Sequence, residues 1–395
     1  MKNTITLISA LFLLASIQAQ DITGQWNGLL KEINLRLVLR ITETDAEYSA
    51  TLESPDQSAV GMPVTAITFS DSTLIFSITQ LGLSYTGQLE NNVFKGTFSQ
   101  AGMEIPLNLS RETVEKQVLN RPQHPVEPFP YYSENVTFTN EKAKLTLAGT
   151  LTLPKKEGTF PVVILITGSG PQDRNEEIAG HKPFLVIADH LTKNGIGVLR
   201  YDERGVGEST GTFETATSAD FAADVHSAIT YLKTRTEIDP KKIGLIGHSE
   251  GGLIAPMVAS ESKDVDFIVL LAGPGLRGDK ILLLQQELIA RASGSPEVEI
   301  QQTKEINTKV FELIRTTNPE HIKSELTDYL TTFFEGDAKK MIPEGMTSEE
   351  FIEMQINQIT TPWMLYFFKY DPVPVLQKVD CAVLALNGEK DLQVP

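Results

Sequence analysis

Cysteine is nearly absent from this chain. Cys381 is the only one among 395 residues, so no internal disulfide can form. It stands in the apolar run Cys381-Ala382-Val383-Leu384-Ala385-Leu386 and reads as a small buried residue rather than a reactive thiol. Positive charge is scarce as well. Lys and Arg number 34 against 51 Asp and Glu, a net charge of −17 that no basic cluster offsets; this argues against nucleic acid and anionic membrane surfaces as partners. No Cys/His cluster has metal-ligand spacing, so no metal is expected. Low-complexity tracts are missing, and beyond the N-terminus no apolar run is long enough to cross a bilayer. What remains is an ordinary globular composition, 41% hydrophobic and 22% charged, long enough for two domains.

Residues 1–19 read as a secretory signal: Lys2, the apolar run Ile5 to Ile17, and a small residue at Ala19 for cleavage. The run is too short to span a membrane, and no cysteine beside the cleavage site can take a lipid. An exported protein, periplasmic or secreted and without stable membrane insertion, is expected.

Residues 21–111 carry short alternating or β-branched runs, among them Leu35 to Ile41, Tyr48 to Leu52, Thr73 to Ile78, Leu83 to Gly87 and Val93 to Phe98. Turn residues such as Ser54-Pro55-Asp56 and Glu90-Asn91-Asn92 separate them, which predicts a small all-β domain: a meander, sandwich or barrel. Gly24-x-Trp26-x-Gly28 resembles the opening of lipocalin-like barrels. Two roles stay open, a ligand cavity or a filled core; no catalytic constellation is visible. Residues 112–132 form the linker. Its cluster Arg121-Pro122-Gln123-His124-Pro125-Val126-Glu127-Pro128-Phe129-Pro130 disfavours helix and removes ladder donors.

From residue 133 onward strand and helix alternate. Leu145 to Leu153 follows Val136-Thr137-Phe138 as an antiparallel pair, and Pro161 to Thr167 is a continuous apolar strand of the kind buried on both faces. Helical stretches from Phe184 to Asn194 and Ala219 to Arg235 flank the strand Gly197 to Tyr201. The order predicts an α/β domain with a mainly parallel, doubly wound sheet whose ligand site lies at the carboxyl ends of the strands. Within it, Ile243-Gly244-Leu245-Ile246 ends in Gly247-His248-Ser249-Glu250-Gly251, and Leu253 to Ala259 reads as helix. That is the context of a nucleophile elbow: Gly247 and Gly251 let strand and helix pass close together, and the Ser249 hydroxyl stands above the sheet. The backbone N–H of Glu250 would face a developing oxyanion.

These residues, with Gly168-Ser169-Gly170-Pro171-Gln172-Asp173-Arg174-Asn175, Tyr201-Asp202-Glu203-Arg204-Gly205-Val206-Gly207-Glu208-Ser209 and Asn387-Gly388-Glu389-Lys390-Asp391, resemble the α/β-hydrolase superfamily, in the bacterial carboxylesterase branch related to dienelactone hydrolases and serine aminopeptidases. The resemblance implies Ser249 as nucleophile, Asp391 as triad acid, and the backbone N–H groups of Ser169 (Gly170 next) and Glu250 as oxyanion donors; it implies no cofactor. Asp279 is a weaker candidate acid. Asp202 and Arg204 are expected to fix one another and their loop, and His248 to pack or line the pocket. A helical insertion over about 276–376 is expected to cap the site, its aromatic cluster Trp363 to Tyr370 facing substrate or forming core.

One departure stands out. In this superfamily the triad histidine follows the acid in sequence, yet the histidines at 124, 181, 190, 226, 248 and 321 all precede Asp391. The chain therefore reads as a C-terminally truncated enzyme sequence with the triad histidine beyond it, poorly active as it stands. The expected activity is a serine esterase acting on small-molecule esters. A peptidase or amidase of the same fold, or a non-catalytic module binding lipid or glycan, are the alternatives.

Overall fold

The computed structural model describes residues 21–395 apart from 45–46, 56–58, 79–80, 101–102, 117–119, 179, 336–341 and 343–346. The expected signal, residues 1–19, lies outside the described residues. The chain divides into two units between Val118 and Leu119.

The first unit is one antiparallel sheet of nine strands: β1 (Gly24–Leu30), β2 (Leu35–Thr44), β3 (Glu47–Ser54), β4 (Ala59–Pro63), β5 (Ala66–Ser70), β6 (Thr73–Ile78), β7 (Leu83–Glu90), β8 (Val93–Gln100) and β9 (Met103–Ser110). Their order is β4-β3-β2-β1-β9-β8-β7-β6-β5. The end strands β4 and β5 are consecutive in the chain. Between them Val64 N–H donates to Ala50 O of β3 at 2.9 Å and Thr65 N–H to Ser77 O of β6 at 2.8 Å, which stitches the two ends of the sheet together. Alternation sends one side chain in two to the interior. Trp26, Phe76, Tyr85 and Phe94 meet there fully buried, with ring centroids 4.5 Å apart for Trp26 and Phe94 and 5.2 Å for Phe76 and Tyr85. Their polar tips are satisfied by the backbone: Trp26 Nε1–H donates to Ile22 O at 2.8 Å and the Tyr85 hydroxyl to Leu107 O at 3.2 Å. Among the described residues, side chains pack this core.

The second unit holds the seven-stranded sheet β10 (Tyr132–Asn140), β11 (Leu145–Leu153), β12 (Phe160–Ile166), β13 (Gly197–Tyr201), β14 (Ile238–His248), β15 (Phe267–Leu271) and β16 (Ala382–Leu386), in the order β10-β11-β13-β12-β14-β15-β16. The β10–β11 and β11–β13 pairs are antiparallel and the rest parallel. Helix α1 (Pro183–Lys193) covers one face through Phe184 and Ala188 against Val163, Leu165 and Ile246. Helices α2 (Ser218–Lys233) and α3 (Gly251–Glu261) cover the other through Val225, Ile254 and Val258 against Ile164 and Leu245. A capping box starts α2: Asp220 accepts the Thr217 N–H at 3.0 Å. The chain runs out along β12 and returns to opposite sides of it as β13 and β14, so the crevice above the carboxyl end of β12 is the topological switch point.

Between β15 and β16 stand α4 (Gly278–Ala292), α5 (Glu297–Thr316), α6 (Ile322–Phe334), α7 (Ser348–Ile359), α8 (Pro362–Lys369) and the short α9 (Val373–Leu376). They build their own core, with Phe311 and Phe368 4.5 Å apart above Ile314, Leu326 and Leu330. Phe367 and Phe368 are therefore packing residues; Trp363 has a different role, described below.

Phe94 is fully buried at the centre of the first unit's core. Phe94→Ala should destabilise that unit by about 3–5 kcal/mol. Denaturant unfolding followed by Trp26 fluorescence in a Trp363→Phe background measures it, since these are the only two tryptophans.

Candidate active site

Strand β14 ends at His248 and α3 begins at Gly251, leaving Ser249 and Glu250 to make the turn. Ser249 takes φ +50°, a left-handed backbone unusual for a residue with a side chain. The turn is held by Ser249 N–H to Leu271 O at 2.8 Å and Gly252 N–H to Ser249 O at 2.9 Å. The flanking glycines have no room for anything larger: a Cβ on Gly247 would lie 2.0 Å from Gly251 O, and one on Gly251 2.1 Å from Ile166 O. Ser249 is thus lifted half-exposed above the carboxyl ends of β12 and β14.

The loop after β12 comes to the same point. A Cβ on Gly168 would be 3.3 Å from Ser249 Cβ, so Gly168-Ser169-Gly170 passes beside Ser249. Among the described residues the N–H groups of Ser169 and Glu250 have no protein acceptor, and that of Glu250 lies at the amino end of α3, where the helix dipole favours negative charge. The Glu250 side chain turns away from this space. It is buried, accepting the Ser218 hydroxyl at 2.6 Å and Trp363 Nε1–H at 2.7 Å; burial raises its pKa despite those two donors. Through Trp363, and through Ile281 and Phe367 packed on Leu253 of α3, the helical insertion reaches the elbow.

Asp391 follows β16, one strand beyond the neighbour of β14. Two strand spacings make about 10 Å, a gap that a bridging imidazole would span. Asp391 Oδ1 accepts the N–H groups of Gln393 at 2.9 Å and Val394 at 3.0 Å, which fixes the loop. Asp279 is already engaged: Arg277 grips both its oxygens at 2.6 and 2.9 Å. Among the described residues no histidine is hydrogen-bonded to Ser249 or Asp391. His124 and His181 stack on each other at 5.6 Å, His226 lies 3.6 Å from Glu261, His190 is on α1 and His321 caps α6. His248 is beside Ser249, and its Nδ1 is hydrogen-bonded to Glu176 Oε1 at 2.8 Å, so it does more than pack.

The loop 167–176 is shaped by buried acids, and two of them were not singled out from the sequence. Glu176 Oε1 accepts the Gly168 N–H at 2.7 Å. Glu203 accepts the Thr167 hydroxyl and, at 3.1 Å, the Gln172 N–H. Asp202 does not pair with Arg204 as expected. It holds Arg174 instead, at 2.6 Å, while Arg204 reaches Asp224 of α2 at 2.7 Å. The physical reason is direction: the chain leaves β13 at Tyr201 and turns, so Asp202 faces the loop after β12 and Arg204, two residues on, faces α2. An acidic residue just after a buried strand, as in Asp202-Glu203-Arg204, was the available signal.

Burial pushes the Glu203 carboxyl up to about 8, the two hydrogen bonds only partly opposing it. A carboxyl raised in the folded state binds its proton more tightly there than in the unfolded chain. Stability from this group is therefore full below about pH 4.5 and declines as pH rises toward about 8. Glu203→Gln mimics the protonated acid, with the amide donating to Thr167 and its oxygen accepting from Gln172. Relative to the parent it should gain about 2–4 kcal/mol between pH 5 and pH 8.5, read from urea unfolding at the two pH values.

A family model described as serine aminopeptidase, S33, matches residues 182–384, just over half of the chain. Esterase EstD of Thermotoga maritima is 30% identical over 227 residues, 53% of this chain and 53% of its own length. Putative hydrolase YtaP of Bacillus subtilis is 34% identical over 119 residues, 26% of this chain and 40% of its own. The chain spans about half the length, or less, of these two relatives. Among solved structures, the α/β hydrolase GrgF from Penicillium sp. sh18 aligns at 20% identity and a TM-score of 0.40, covering 67% of this chain and 82% of that one. The protein belongs to the S33 serine aminopeptidase family of α/β-hydrolases, a membership its family model carries across more than half of its length.

Proposed function

We propose that the protein is an exported serine hydrolase that cleaves carboxylic esters through an acyl-enzyme on Ser249. The observation that carries this reading is the elbow: a half-exposed serine held at φ +50°, with the unengaged amides of Ser169 and Glu250 on the two segments that flank it. In the reaction, Ser249 Oγ attacks the ester carbonyl, its proton passes to a base, and the two amides take up the oxyanion charge. The alcohol leaves with that proton, and water then releases the acid by the same route. Asp391 would hold the base, a histidine between it and Ser249, in the correct tautomer. None of the six histidines stands there, so residues 1–395 alone are expected to turn over esters only as far as the oxyanion site and binding allow. The export reading rests on Lys2, the apolar run to Ile17, and Ala19.

The relative in Thermotoga maritima is named an esterase, which supports esters as substrates. The family description names an aminopeptidase, and cleavage of an amide would share the same attack; it adds the need to protonate a poorer leaving group.

In the protein that carries the triad histidine, a fluorophosphonate probe should label Ser249, and Ser249→Ala should abolish labelling and lower kcat on aryl esters by on the order of 10⁶. Absence of labelling at Ser249 would overturn the reading. Turnover of aryl esters at least about 100-fold above that of aminoacyl anilides, a gap of about 2.7 kcal/mol, is expected of an esterase; the reverse ratio makes it a peptidase.

A further inference from the structure

Glu176 and His248 form a pair that the acyl-enzyme chemistry does not use. Glu176 is almost fully buried and sits at φ +51°, its N–H tied to Asp173 O at 2.9 Å. A residue with a side chain is held in that conformation only where its surroundings over-determine it. One carboxylate oxygen, Oε1, takes two donors, the Gly168 N–H at 2.7 Å and His248 Nδ1 at 2.8 Å. It thereby joins the loop after β12 to the end of β14. The three groups close around the nucleophile: a Cβ on Gly168 would be 3.2 Å from His248 Nδ1, 3.3 Å from Glu176 Oε1 and 3.3 Å from Ser249 Cβ.

Two consequences follow from the geometry. With the Gly168 N–H turned onto Glu176, the Thr167–Gly168 peptide plane is fixed and that amide is engaged, so the loop's donor to an oxyanion becomes the amide of Ser169 or of Gly170. A carboxylate so close to that donor would also repel the negative charge that develops on the substrate carbonyl. An imidazolium at His248 cancels it. The hydrogen bond to Glu176 raises the His248 pKa, burial opposes, and the charges of Glu176 and Asp391 add to the rise. The charged groups facing the imidazole are Glu176 from the loop after β12 and Asp391 from the loop after β16; Glu203, from the loop after β13, faces Glu176 in turn.

We propose that Glu176 and His248 are positioning residues acting as one unit: the carboxylate orients the oxyanion loop through Gly168, and the imidazolium keeps that carboxylate from opposing the oxyanion. Neither group touches the reacting atoms. The proposal rests on Ser249 being the nucleophile.

The test is a double-mutant cycle in the native protein with an aryl ester as substrate. His248→Asn keeps a donor but removes the charge, and should lower kcat by about 10–100-fold, less than loss of an oxyanion donor itself, with KM within about twofold. The same variant should bind an arylboronic acid, a mimic of the tetrahedral state, more weakly by a similar factor. Glu176→Gln combined with His248→Asn removes both charges, keeps an oxygen for the Gly168 N–H, and should recover kcat to within about threefold of the parent. A purely structural pair would leave the double variant as slow as, or slower than, His248→Asn, and that result overturns the proposal, as does an unchanged kcat in His248→Asn. Thermal melting confirms that each variant is folded. Ser249→Ala, run alongside, separates the two claims: if it retains full turnover, the nucleophile reading has failed, whereas its inactivity with no rescue in the double variant removes only the role given to Glu176 and His248.

Discussion

The site depends on one close approach. Gly251, at the start of α3, lies so near the carbonyl of Ile166 at the end of β12 that a methyl group there would sit 2.1 Å from the oxygen. Because β12 and β14 are adjacent and parallel, this contact brings the loop that leaves β12 alongside the turn that leaves β14. Ser249 pays for the approach with a left-handed backbone, and its two turn hydrogen bonds, to Leu271 and from Gly252, hold it there. A larger residue at either glycine would move the helix off the strand end and separate the Glu250 amide from the loop that carries Ser169.

Between Ile166 and Pro183 the described residues form no helix or named strand, only the isolated bridge of Ile178 with His181, so the shape of this second segment comes from polar anchors. Asp202 holds Arg174 by its backbone N–H at 2.8 Å and by its guanidinium, Glu203 holds Thr167 and Gln172, and Glu176 holds Gly168. Burying three carboxylates within one loop's reach is costly unless donors surround them. Burial pushes the pKa of Glu203 up, whereas Asp202, with Arg174 and two backbone N–H groups on it, is lowered despite its own burial. The loop is therefore rigid in proportion to how well its acids are satisfied, which suits a segment that must present amide groups without reorganising during a reaction.

What the sequence made legible was local. Apolar periodicity marked the strands of both units, and the glycine spacing around Ser249 marked the elbow, because each feature is written within a few neighbouring residues. Strands β1, β4 and β9 escaped notice; β9 is interrupted by Pro106, which pairs with Thr97 of β8. Glu176 and Glu203 escaped for a different reason. Nothing among their immediate neighbours tells a buried carboxylate from a solvated one; what distinguishes them is Gly168, His248 and Thr167, between 8 and 72 positions away along the chain. The same holds for Asp202 and Arg204, two residues apart, whose partners are 28 and 20 positions away along the chain.

Glu250 shows how the helical insertion enters this arrangement. Its amide stands at the head of α3 beside Ser249, while its carboxylate binds Ser218 at the start of α2 and Trp363 at the start of α8. One residue thus joins the elbow, a core helix and the insertion between β15 and β16. Trp363 stacks on Phe367 at 5.1 Å, and the backbone of Phe367 leaves no room for a side chain at Gly278, where α4 begins. The contacts run without a break from the insertion to the residue beside Ser249. A change that repacks α8 is therefore felt at Glu250, so the insertion cannot shift there without also bearing on the turn that holds Ser249.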